Sequence, residues 1–185
     1  MTLRPALAVC LAATLSFGLA PQTVRAGNTQ TWDDLSTGLA LGVGGAAAIT
    51  TLSKSDGTGL AQGMKTAGTT VLAVEALKAL VPEQRPDGSD DRSFPSEHTA
   101  LAFAAATYFD VRYGQEYRAY VPVMYGLAAL TGVARVQAKK HFAKDVIAGA
   151  VVGFGIAHVF TTPDNSQVAL APAERGVSLT YTKRF

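Results

Sequence analysis

The chain has 185 residues, 48% of them apolar and 16% charged, with a single cysteine. That length fits one domain with a substantial core. A formal net charge of +2 lacks the basic excess of a nucleic-acid binder, and one cysteine excludes an internal disulfide framework or a thiolate metal cluster.

Residues 1–26 have the pattern of a secretory signal peptide. Arg4 supplies the positive start, Pro5 to Val24 carries no charge, and Val24-Arg25-Ala26 offers small or apolar residues at the cleavage positions before polar Gly27-Asn28. The competing reading is a first membrane helix, because the uncharged run just reaches the ~20 residues that span a bilayer. The Val-x-Ala site favours cleavage. Cleavage removes Arg4, Arg25 and Cys10, so fourteen acidic and fourteen basic residues remain and no cysteine does.

Residues 27–163 read as an all-α domain of five helices, six if the N-terminal segment stays attached. Leu35 to Ser53 is uncharged and rich in Gly and Ala. Thr66 to Val81 is an amphipathic run that Pro82 stops. Thr99 to Phe109 continues to Tyr113, before Gly114, a good helix stop. Ala119 to Ala134 and Val146 to Pro163 are two further uncharged runs. Strict alternation is absent from all of them, so the period favours helix. Gly149 and Gly153, four apart, permit close helix approach. The runs are near or below membrane-spanning length, which leaves a membrane bundle and a soluble exported bundle both open, with a lean towards the membrane. Residues 164–185 form a C-terminal tail in which alternating Val177, Leu179 and Tyr181 suggest a short hairpin.

Three polar clusters interrupt these helices. Lys78, in the last turn of its helix, is followed by Arg85-Pro86; two permanent cations suit an anion with several oxygens, and arginine grips phosphate bidentately. Taken alone, such cations more often face solvent. Ser93-Phe94-Pro95-Ser96-Glu97-His98-Thr99 then places Ser96 at a helix N-cap, where free amides favour anions, with His98 in the first turn. Finally come Arg135, His141 and Asp145. His141 and Asp145 share one face if both are helical, and an aspartate that holds one imidazole nitrogen frees the other as a nucleophile. A structural His–Asp pair or a metal site are the alternatives, the latter opposed by the nearby cations.

Taken together, Lys-x6-Arg-Pro, Pro-Ser-x-His and Arg-x5-His-x3-Asp resemble the three-part signature of the type 2 phosphatidic acid phosphatase superfamily, over about residues 32 to 160. The resemblance implies an exported phosphatase with no metal and no cofactor. Lys78, Arg85 and Arg135 would hold the phosphoryl oxygens, with Ser96 and the following amides adding hydrogen bonds. His141 would attack phosphorus, Asp145 would orient it, and His98 would protonate the leaving oxygen and later activate water. The substrate implied is a phosphorylated lipid of the cell envelope, with the enzyme facing the periplasm. A soluble broad-specificity acid phosphatase and a degenerate phosphate-binding scaffold are the alternatives. Two positions depart from the pattern: Glu97 stands where the family usually has Gly, and Ala134 where it usually has Ser. Lys139-Lys140 and the acidic loop Asp87, Asp90 and Asp91 read as solvent-facing.

Overall fold

A computed structural model describes residues 28–164, 166–173 and 176–183, with side chains over 28–164. The expected export segment, Cys10 included, lies outside the described residues.

Five helices follow one another. Helix α1, Thr29–Ser53, is capped by Asn28, whose side chain accepts from the Gln30 amide at 3.1 Å. It starts before the uncharged run, so that Asp33 and Asp34 ride on its first turns. Helix α2, Gly57–Leu80, also begins earlier than expected. Asp56 accepts the Gly59 amide at 2.8 Å and thereby starts a helix through a glycine-rich stretch of weak intrinsic propensity. Helix α3, Glu97–Tyr113, ends at Gly114 as the sequence suggests. Helix α4, Val121–Gln137, carries a proline in its first turn, and α5 spans Ala143–Phe160. Strands β1, Ser166–Ala173, and β2, Gly176–Lys183, pair antiparallel, from Ser166 opposite Lys183 to Ala173 opposite Gly176.

Helix α3 is the centre of the bundle and touches all four other helices. Alanines on α3, with Phe109 and Tyr113, build the core against Val43 of α1 and Met124 and Ala128 of α4. Helix α5 packs most intimately on α3. A Cβ at Gly149 or Gly153 would overlap the backbone oxygens of Ser96 and Ala100, so these two glycines set the helix spacing. Helices α1 and α2, although consecutive, barely touch each other.

The up-and-down course brings five helix termini to one end: the starts of α1, α3 and α5 and the finishes of α2 and α4. All three sequence clusters lie there. The outer surface is strongly apolar, with Leu41, Leu52, Met64, Leu72, Ile147 and Val159 more than half exposed. By length and composition α1 and α5 could each cross a membrane, and only 33% and 22% of those spans is buried within the bundle.

Candidate active site

His141 is the centre of the clustered end. It sits in the loop between α4 and α5 and not on α5 itself, so it and Asp145 do not share a helix face as the sequence spacing suggested. Its Nδ1 lies 2.6 Å from the Ser93 carbonyl oxygen. A carbonyl can only accept, so Nδ1 carries the proton and Nε2 presents a lone pair. That lone pair faces the Arg135 guanidinium, whose Nη2 is 3.4 Å away. The ring is 2% exposed. Burial, reinforced by the positive charges of Arg135, Arg85 and Lys78, pulls its pKa down to about 3. At neutral pH it is therefore an uncharged imidazole among three cations.

Asp145 does not orient the ring directly. Its Oδ2 is 3.8 Å from His141 Nδ1, too far for a hydrogen bond. Instead Oδ2 accepts from the Ser93 hydroxyl at 2.6 Å and from the Phe142 amide at 2.9 Å. It thus fixes both segments that hold the histidine, the Ser93 loop through a side chain and the 141–142 loop through its backbone. Its second oxygen has no hydrogen-bond partner among the described residues. The expected contact is one step removed, through Ser93, a residue with no role assigned from the sequence because the group that acts is a backbone carbonyl.

The three expected cations converge here. Lys78, in the last turn of α2, is 8% exposed and bonds Glu97 at 3.1 Å, with Glu75 at 3.6 Å. Arg85 is bonded through Nε to Asp90 at 2.6 Å. Arg135, in the last turn of α4, is 4% exposed and pairs with Asp33 of α1, with the Ser36 hydroxyl at 3.3 Å. Its Nε has no partner among the described residues. Burial, and then the nearby positive charge of Arg85, work against the charged form of Arg135, with Asp33 opposing them. The carboxylates of Glu75, Glu97, Asp90 and Asp33 balance these like charges around the neutral ring.

Ser96 takes its expected place as the N-cap of α3, although its side chain caps no amide. Its hydroxyl lies 3.0 Å from that of Thr99 and is fully buried. Its amide donates to the Asp145 carbonyl at 3.0 Å. Ser96 therefore ties α3 to α5 and does not offer its hydroxyl to the clustered cations. His98 is partly exposed, and its Nε2 hydrogen-bonds the Thr37 hydroxyl at 3.2 Å. Glu97 is drawn to Lys78, and Arg92 is held by Glu75. The acidic loop is exposed, but Asp87 pairs with Lys140 at 2.7 Å and Asp90 with Arg85. Asp33, Ser36 and Thr37 were not singled out by the sequence. The available signal was that Asp33 and Asp34 are the only charges in α1.

The family model of the PAP2 superfamily matches residues 74–165, the stretch that holds every residue of the three clusters. Over 80 residues the chain is 44% identical to a lipid A 1-phosphatase of Porphyromonas gingivalis, covering 43% of this chain and 18% of that protein. Over 79 residues it is 37% identical to a lipid A 4'-phosphatase of Helicobacter pylori, covering 43% of this chain and 38% of that one. The chain thus spans well under half the length of these curated relatives. The crystal structure of Aquifex aeolicus LpxE superposes with a TM-score of 0.59 at 22% identity, over 78% of this chain and 92% of that one, and shares the fold.

Proposed function

The chain belongs to the PAP2 superfamily, and from that premise we propose that it hydrolyses the phosphate ester of a phosphorylated lipid in the cell envelope through a phosphohistidine on His141. The observation that carries this reading is the state of His141: proton on Nδ1, lone pair on Nε2, and three cations around it.

A phosphoryl group drawn in by Lys78, Arg85 and Arg135 would exchange protein carboxylates for its own oxygens. Preorganised positive charge is the main contribution protein groups make to phosphoryl transfer. Nε2 attacks phosphorus in line with the ester oxygen. The P–O bond breaks, and His98 gives the leaving alkoxide its proton. The imidazole then carries phosphate on Nε2 and a proton on Nδ1, and its positive charge is met by the Ser93 carbonyl and, at 3.8 Å, the Asp145 carboxylate. Water, deprotonated by His98, attacks the phosphohistidine and returns the ring to its starting state. The lipid character of the substrate is supported by the names of the two lipid A phosphatase relatives. The exposed leucines and the two helices of membrane-spanning length support placement in a membrane; the clustered end is proposed to face the periplasm because the signal-peptide pattern would export the start of α1.

The test is rapid quenching into alkaline detergent with a ³²P-labelled lipid phosphate. Label on His141, stable to alkali and labile to acid, is the expected result, and His141→Ala should abolish both label and turnover. Turnover that survives in His141→Ala would overturn the mechanism.

A further inference from the structure

The gap between α1 and α2 is a groove of about 640 Å³, closed at its back by α3. Its walls are almost wholly apolar, and Gly44, Gly45 and Gly63 keep it open. Glu97 and His98 line it, so it runs directly out of the clustered end. On α1 it extends from Thr37 to Thr51, about 21 Å of helix. Leu41 and Met64, 71% and 63% exposed, flank its mouth, so it opens sideways onto the apolar exterior.

One polar group does not fit a merely apolar cleft. Thr66, 2% exposed, lines the groove, and its hydroxyl has no hydrogen-bond partner among the described residues. A buried hydroxyl left unpaired is costly. Thr50, Thr51 and Thr70, also buried, all return their hydroxyls to carbonyls of their own helices.

We propose that this groove holds one acyl chain of the phosphorylated lipid, that the missing side chains at Gly44 and Gly45 set its width, and that Thr66 bonds an oxygen carried along that chain. The proposal rests on the phosphatase reading above. The complementarity runs along the occupant: cations at one end for phosphate, an apolar trough for the chain, and one hydroxyl about 18 Å along α2 from Lys78 for a hydroxyl or ester oxygen. Apolar burial would fix the lipid and leave the phosphate beside His98, so binding remote from phosphorus would position the reacting group.

A Cβ at Gly44 or Gly45 meets nothing within 4 Å, and leucine is a better helix former than glycine. Gly45→Leu therefore fills the trough without disturbing the bundle, which a thermal melt checks. With hexadecyl phosphate in mixed micelles, Gly45→Leu should lower kcat/KM about tenfold or more through KM. Hydrolysis of propyl phosphate should be unchanged. Thr66→Val should raise KM for a hydroxyacyl-bearing phosphate and spare hexadecyl phosphate; an unchanged KM removes the hydroxyl from the proposal. Equal losses on long and short esters, or no loss on either, overturn the groove. A photoactivatable long-chain phosphate should label residues between 40 and 67. Labelling elsewhere, as when residues 1–27 or a second copy fill the trough, also overturns it. A wild-type protein that cleaves neither ester refutes the phosphatase reading instead, so the two failures are distinguishable.

Discussion

The two ends of the bundle use charge in opposite ways. At the end away from His141, Asp56 receives two hydrogen bonds from Arg112 at 2.8 Å, one from the Tyr113 hydroxyl at 2.9 Å and one from the Gly59 amide at 2.8 Å. Arg112 spends its remaining reach on the carbonyls of Thr162 and Pro163. Arg112 is buried and Asp56 partly so, with side chains 3% and 10% exposed, and their hydrogen-bonding capacity is largely taken up. At the His141 end the cations are also paired, but Glu75, Asp90 and Glu97 are 41%, 41% and 33% exposed. Exposed pairs are worth about 0–1 kcal/mol, and breaking a buried one by removing a partner costs about 3–5 kcal/mol. One end is built to stay closed. The other holds Lys78 and Arg85 through partly exposed carboxylates, as the proposed exchange for phosphate oxygens requires.

The largest effect that would sharpen this contrast lies at the loose end. His98→Ala should slow alkyl phosphates by the ~10²–10⁴-fold typical of lost general-acid catalysis, because an alkoxide cannot leave unprotonated. A nitrophenyl phosphate leaves as a stable phenolate, so its first step should be spared. A burst of nitrophenolate, with phosphoenzyme accumulating on His141, is expected from rapid-quench kinetics. Equal losses on both substrates without a burst would remove His98 from this role.

The closed end should fail in stability and not in chemistry. Asp56→Ala strands the Arg112 guanidinium in a buried site and removes the cap of α2, so it should cost about 3–5 kcal/mol in denaturant unfolding. The kcat of the folded fraction should stay near that of the wild type. A large drop in kcat without loss of stability would mean that the two ends are coupled and not independent.

Acid should separate the ends again. The pKa of His141 is depressed by burial and by Arg135 and Arg85, so the unfolded chain binds a proton that the fold refuses. Its contribution to stability is present above about pH 6.5 and is lost progressively as pH falls towards 3. Burial opposes the charged form of Asp56, but Arg112, the Gly59 amide and Tyr113 outweigh it and hold its pKa at about 2. Its contribution survives down to about pH 4 and is lost below that. Melting temperatures should therefore begin to fall near pH 6, and His141→Gln should flatten only that first decline. Identical pH profiles for His141→Gln and wild type would refute the neutral buried ring.

Much of this was legible in the residues because it depended on local pattern. Uncharged apolar runs marked five helices, and Gly114 marked the end of α3. Motif order brought Lys78, Arg85, His98, Arg135, His141 and Asp145 into one site. What escaped was long-range or carried by backbone. Asp33 reaches Arg135 across 102 positions, and Thr37 reaches His98 across 61. The Ser93 carbonyl that sets the His141 tautomer has no side-chain signature. The expected run began only at Thr66, yet Asp56 starts α2 through Gly57, Gly59 and Gly63, and Gly59 leaves room for the Asp56 carboxylate and the Tyr113 hydroxyl. The spacing of His141 and Asp145 suggested a shared helical face, but α5 begins only at Ala143.

The smallest expected effect probes the loosest pair. Glu97 replaces the usual glycine of the family pattern and bonds Lys78 at 3.1 Å, so phosphate must compete with a carboxylate for that ammonium. Glu97→Gly leaves Lys78 with Glu75 at 3.6 Å alone, and its affinity for phosphate should rise. A part-exposed pair is worth about 0.2–1 kcal/mol, which corresponds to roughly a 1.4- to fivefold fall in the inhibition constant of inorganic phosphate or vanadate. Glu97→Gln keeps the side chain and removes its charge, so it should give the same gain if repulsion is the cause. High salt should shrink the gain in both variants, because screening weakens a competitor that is one-third exposed. If instead both variants lose affinity and turnover together, Glu97 aims Lys78 at the phosphoryl oxygens. The pair would then be part of the catalytic geometry, and the loose end would be less loose than its exposure suggests.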